Sequence, residues 1–223
     1  MNTLQSLLDI QLPIIQAPMA GVQTSALAVA VSNAGGLGSL PCAMLTLDSL
    51  RAELRAITAQ TTRPYNVNFF CHTPPVPDAQ QDADWRAALA PYYHAFGLDL
   101  AALPAGPGRA PFSAEVADVV EPFRPPVVSF HFGLPPADLL ARVKSWGSQV
   151  LTSATTVDEA RWLQAHGADV VIAVDISNKA RGQTPGDMLG TLGQSIAIMG
   201  QKLGQAELAR ADIIIRPQVL DIG

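Results

Sequence analysis

Cysteine is scarce in this 223-residue chain, which holds only Cys42 and Cys71. Two thiols cannot build a disulfide framework, and no Cys-x-x-Cys or His-x-x-x-His pair supplies metal-ligand spacing, so no metal site is expected. They read as half-buried thiols of a reducing compartment. Charge is sparse too. Asp, Glu, Lys and Arg make up 15% of the residues, net charge is −5, and no basic cluster occurs, which excludes the electrostatic footprint of a nucleic-acid binder. A membrane-spanning run is lacking as well: Pro13, Gln16 and Pro18 break the apolar N-terminal stretch, and no basic segment precedes it. Neither a signal peptide nor a spanning helix is expected, and a cytoplasmic location is the expectation. The G-x-S-x-G motif of a serine hydrolase is absent; its nearest approach, "GQSIA" (193–197), ends in Ala and lies inside a helical pattern, leaving Ser195 as a weak nucleophile candidate.

Hydrophobic residues are plentiful, at 48%. With so little charge, they suit strands buried on both faces by helices, and the length suits one α/β domain over residues 1–223. Short apolar runs predict strands at 13–18, 36–40, 65–70, 127–132, 149–153, 170–174 and 213–216. Helical periodicity fits between them at 25–33, 46–59, 137–146, 157–166 and 185–211. The last carries one apolar stripe of Met188, Leu192, Ile196, Met199 and Leu203, which reads as a core-facing side. Residues 71–126 hold ten of the 18 prolines and the aromatics Trp85, Tyr92, Tyr93 and Phe96, with helical pieces at 82–93 and 113–120. That stretch exceeds an ordinary strand-to-helix connection and predicts an insertion after the third strand, either a lid or a packing extension.

In parallel α/β folds, chemistry gathers where strands end. The first predicted strand ends in "QAPMAG" (16–21), the third in "NVNFFCH" (66–72), the fourth in "SFHFG" (129–133) and the fifth in "TSATT" (152–156). Together they bring Met19, Asn68, His72, His131 and several hydroxyls to one edge, a set that suits the uncharged hydrogen-bonding rim of a flavin. His131 reads equally as a structural histidine. The glycines of "NAGGLGS" (33–39) end a helix and open a strand, the reverse of a dinucleotide-binding loop, so Gly35 and Gly36 read as a helix cap and tight turn.

In order along the chain, "PIIQAPMAG", "AVSNAGGLGSL", "YNVNFFCH", the proline-rich insertion, "PPVVSFHFGLP" and "LTSATTVDEARWLQAHGADVVIA" resemble the nitronate monooxygenases over residues 8–173. The resemblance implies a TIM barrel with FMN that oxidises alkyl nitronates with dioxygen to a carbonyl compound and nitrite. It further implies that Ala17, Pro18 and Met19 line the flavin, that Asn68 hydrogen-bonds it, and that His131 lies near ring and substrate as the catalytic candidate. After the sixth strand the family continues with an "EAGGHRG"-like loop carrying a functional histidine. This chain instead reads "VDISNKARGQ", with no histidine after His166, which implies weakened or absent turnover.

The remaining segment, 174–223, resembles with its preceding strand the C-terminal end of patatin-like phospholipases, which implies a chimera joined near residue 173. The expected architecture is therefore a TIM-barrel-like (β/α) fold, incomplete or distorted, with seven strands where a full barrel has eight. A gap would leave a strand edge unpaired, and unpaired edges associate. A homodimer is thus expected by size-exclusion chromatography; a stable monomer would count against the gap.

Overall fold

The computed structural model describes residues 3–74, 76, 78–99, 109–173 and 213–215. Six strands form one sheet in the order β1 (Gly38–Pro41), β2 (Tyr65–Phe70), β3 (Val127–His131), β4 (Gln149–Ala154), β5 (Val170–Ala173) and β6 (Ile213–Ile215). Every neighbouring pair is parallel. Sequential order with parallel neighbours requires a crossover between each pair, and helices supply those from β1 to β5. After the short α1 (Leu4–Leu8) come α2 (Ser25–Asn33), α3 (Leu47–Gln60), α4 (Ala79–Ala95), α5 (Ala114–Val120), α6 (Ala137–Ser145) and α7 (Val157–Ala165). This is the winding of a TIM-barrel-like α/β fold, with six strands among the described residues. The helix predicted over 185–211 lies outside them.

The strand predicted at 13–18 shrinks to one parallel bridge, Ile15 to Leu37. Its backbone begins a ladder properly, since Leu37 N donates to Ile14 O at 2.8 Å and Gln16 N to Leu37 O at 2.9 Å. The next rung would need an N–H from Pro18, which has none. Two side chains take over the rungs. Gln16 Oε1 accepts from Ser39 N at 2.9 Å, and Gln23 Nε2 donates to Ser39 O at 2.6 Å.

Strand alternation divides the sheet into two unlike faces. Leu40, Val67, Phe69, Val128, Phe130 and Val150 face outward into a core with Leu50, Leu54, Ile57, Val120 and Val143 from the helices. A second cluster lies on the inward face, where Ile15, Leu37, Val127, Leu151 and Val170 meet Leu8 and Ile10 at the end of α1. Three of the helices start where a hydroxyl caps them: Thr46 Oγ1 accepts from Ser49 N, Ser113 Oγ from Val116 N and Thr156 Oγ1 from Glu159 N. At the other end of α2, Gly35 N donates to Ser32 O and Gly36 N to Val31 O, with Gly35 at φ 93°, a Schellman cap as the glycine run predicts.

Within 71–126 the two helices behave differently. Helix α5 is an ordinary crossover helix: Ala117, Val119 and Val120 are buried, and Phe112 just before it packs on Phe69 and Phe130 at ring distances of 4.9 and 5.3 Å. Helix α4 buries no residue, and Trp85, Tyr92 and Phe96 stand exposed along it. Among the described residues no helix is long and apolar enough to cross a membrane.

Helix α2 lies so close to β1 that a Cβ built on Gly38 would stand 1.9 Å from Ala28 O. Backbone cannot yield as a flexible side chain does, so Gly38→Ala is expected to cost about 3 kcal/mol, a Tm fall of roughly 6 °C or more. An unchanged Tm by calorimetry would show that the helix is free to retreat.

Candidate active site

Beyond the apolar layer of Leu37, Val127, Leu151 and Val170, the inward face of the sheet turns polar toward the C-terminal ends of the strands. Period two from Ser39, Asn66 and Ser129 places Asn68, His131 and Ser153 on the same side, in rows set by the strand register: Ser39 beside Asn66, Asn68 beside Ser129, Phe70 beside His131. Ser39, Asn66, Asn68 and Ser129 are all buried, so each needs a partner. Asn66 Nδ2 donates to Ser39 Oγ at 3.0 Å, and Asn68 Nδ2 to Ser129 Oγ at 2.9 Å. One acceptor stays over. Asn66 Oδ1 is buried and has no partner among the described residues.

Above these rows, at the C-terminal edge, His131 Nδ1 lies 2.7 Å from Ser153 Oγ. The imidazole is surrounded by rings: Phe70 at 6.3 Å and Phe132 at 6.3 Å, with His72 a further 6.3 Å from Phe132. Burial lowers the pKa of His131 below the usual 6.5, because a charged imidazolium loses hydration there. The ring is therefore neutral at physiological pH. Burial also pushes the Cys71 thiol up to about 12 and raises Cys42. Neither thiol is a nucleophile near neutrality.

At the β1 side of the same edge, the loop 16–23 is held by amides. Gln16 Nε2 donates to Gln23 Oε1 at 2.7 Å and also to the Ala17 carbonyl, while Met19 N donates to Gln23 Oε1 at 3.0 Å. Ala17 and Pro18 are half-buried, and the Met19 side chain is exposed. The predicted residues thus fall into two groups. Asn68 and His131 share one patch on β2 and β3, joined by His72; Ala17, Pro18 and Met19 lie across β1 from it. Reading the strand ends alone passed over Gln23, Ser39 and Asn66. The alternation within "YNVNFF" was the available signal for Asn66, whereas Gln23 reaches Ser39, 16 residues away, and no local pattern marks that contact.

A nitronate monooxygenase family model matches residues 1–194, and the chain belongs to that family. It is 43% identical over 180 residues to a nitronate monooxygenase of Paraburkholderia phytofirmans, covering 78% of this chain and 48% of that protein. With one from Pseudomonas aeruginosa it shares 42% over 178 residues, covering 76% and 49%. Among solved structures, nitroalkane oxidase from Streptomyces ansochromogenes superposes with a TM-score of 0.69 and 33% identity, over 95% of this chain and 59% of that one. FabK from Thermotoga maritima gives a TM-score of 0.54 and 26% identity over 76% and 42%. The chain spans about half the length of the curated relatives it matches. The family match continues to residue 194, past the crossover placed near 173, so the chimera expectation has no support.

A neutral, buried histidine has a folded-state pKa below its unfolded value, so its share of stability is full above pH 6.5 and is lost as pH falls through 6.5 toward the folded-state value. His131→Gln removes that titration and keeps a polar partner for Ser153. Its loss of stability in urea between about pH 7.5 and about pH 5.5 is expected to be smaller than that of the unsubstituted protein. Equal losses in the two proteins would show that the ring is not held neutral.

Proposed function

We propose that this chain forms the catalytic face of an FMN-dependent nitronate monooxygenase, which oxidises alkyl nitronates with dioxygen to a carbonyl compound and nitrite. The observation that carries the reading is His131, with Nδ1 against the Ser153 hydroxyl and the ring beside Phe70 and Phe132 at the C-terminal edge of the inward face, where burial favours the neutral form. Family membership and the nitroalkane oxidase likeness agree with it.

The residues present fit the ring end of FMN. Its rim is uncharged and hydrogen-bonding, and the inward face offers amides and hydroxyls with no formal charge, including the unpartnered Asn66 Oδ1. Asn68 would hydrogen-bond the ring, and Ala17, Pro18 and Met19 would line it. Bound there, FMN supplies the electron-transfer chemistry that side chains lack. The chain's own part is binding and positioning. With the Ser153 hydroxyl donating to Nδ1, His131 carries its proton on Nε2 and donates a hydrogen bond to an anionic nitronate oxygen. A neutral imidazole does this without giving up its proton. The segment "VDISNKARGQ", where the family carries a second histidine, has none in this sequence, so His131 is the histidine this reading rests on.

A cytoplasmic location and a homodimer belong to the same proposal. The patatin-like hydrolase alternative is not favoured, because the nitronate monooxygenase match runs into the segment on which it rested.

FMN titration should quench flavin fluorescence, and propyl-2-nitronate should then yield nitrite by colorimetric assay. Replacing His131 with Ala should lower kcat/KM about 100-fold, the usual loss for one hydrogen-bond donor to a charged oxygen, with FMN affinity little changed. Flavin binding without nitrite release would sink the oxidation reading, and an undiminished His131→Ala enzyme would sink the role of the histidine.

A further inference from the structure

Three described non-glycine residues have positive φ, namely Asp9, Arg124 and Phe132. Asp9 and Arg124 each end a helical segment, where a left-handed residue is a common stop. Phe132 ends a strand. Its φ of 66° is followed by 102° at Gly133, and a bulky side chain adopts that region only when its surroundings hold it there.

The turn moves a ring from one face to the other. Continued alternation would put Phe132 on the helix-packed side with Phe130, which is wholly buried. Instead the Phe132 ring stands edge-on to Phe70 at 5.1 Å, with His72 and His131 each 6.3 Å away, and Phe70 and His131 belong to the inward face. The ring remains 64% exposed, so it is not filling a core. An exposed aromatic, held in a costly backbone conformation beside the histidine of the site, presents an apolar surface to whatever occupies that edge.

We infer that Phe132 is a specificity-determining residue, an apolar wall beside His131 that favours nitro compounds with longer alkyl chains over two-carbon ones. The inference rests on the nitronate reading for the identity of the polar head, and on the ring alone for the chain. Each methylene covered multiplies affinity roughly fourfold, so two methylenes against the ring give about fifteenfold preference.

The test uses the full chain with FMN added. Calorimetric titration with 1-nitrohexane and with nitroethane gives the ratio of their Kd values, and nitrite release from the corresponding nitronates gives the ratio of kcat/KM. Phe132→Gly should lower the hexyl preference in binding about fifteenfold, and Phe132→Leu, which keeps an apolar wall, should retain most of it. Because glycine suits a φ of 66°, the Tm of Phe132→Gly should stay within about 2 °C of the unsubstituted protein or rise. A Tm fall beyond roughly 8 °C would mark a packing role and overturn the inference. So would an unchanged binding ratio in Phe132→Gly, or equal affinity of the unsubstituted protein for both probes. If the binding ratio falls as expected while no nitronate yields nitrite, the wall stands and the oxidation reading is what fails.

Discussion

Two-residue alternation along parallel strands governs this molecule. It sends Leu40, Val67, Phe69, Val128 and Phe130 toward the helices and Ser39, Asn66, Asn68, Ser129 and His131 to the opposite side. The outward set stabilises: truncating a wholly buried ring such as Phe130 would cost about 3–5 kcal/mol. The inward set is constrained differently, because a buried amide or hydroxyl without a partner costs about 1–3 kcal/mol. Pairing Asn66 with Ser39 and Asn68 with Ser129 meets most of that requirement with bonds between adjacent strands. The same bonds that make the polar residues tolerable also hold Asn66 and Asn68 in fixed orientations against the neighbouring strands.

The edge above these rows is built by departures from regularity. Pro18 ends one ladder, the left-handed Phe132 ends the alternation of another, and α1 closes the opposite end with Leu8 and Ile10. Burial that keeps His131 uncharged and hydroxyl support from Ser153 occur at the C-terminal edge. Position, protonation state and neighbours of the histidine follow from where β3 and β4 stop.

Much of this was legible in the sequence because it is periodic. The run "YNVNFF" gives β2 at both ends, and the 25–33 pattern gives α2, since local sequence and burial agree there. The stretch 13–18 misleads for a stated reason: its apolar residues promise a strand, but strands are defined by rungs, and Pro18 cannot supply one. Residues 71–126 look like one insertion because prolines run through it, yet α5 packs as any crossover helix while α4 buries nothing. His131 and Asn68 could be nominated from their strand ends. Gln23 and the swung ring of Phe132 could not, since one depends on a contact distant in sequence and the other on a backbone angle that phenylalanine does not advertise.

The glutamine rungs beside β1 carry a consequence for how such a site changes over time. Hydrogen bonds between two backbones are insensitive to the genetic code, as almost any residue can be exchanged without losing them. At Ser39 both rungs are side chains, so their partners are written at two codons, Gln16 and Gln23. The loop from 17 to 22 between them can thus be loosened, re-aimed or tightened by single substitutions while β1 and the sheet behind it stay where they are. The border of the site is heritable separately from its foundation.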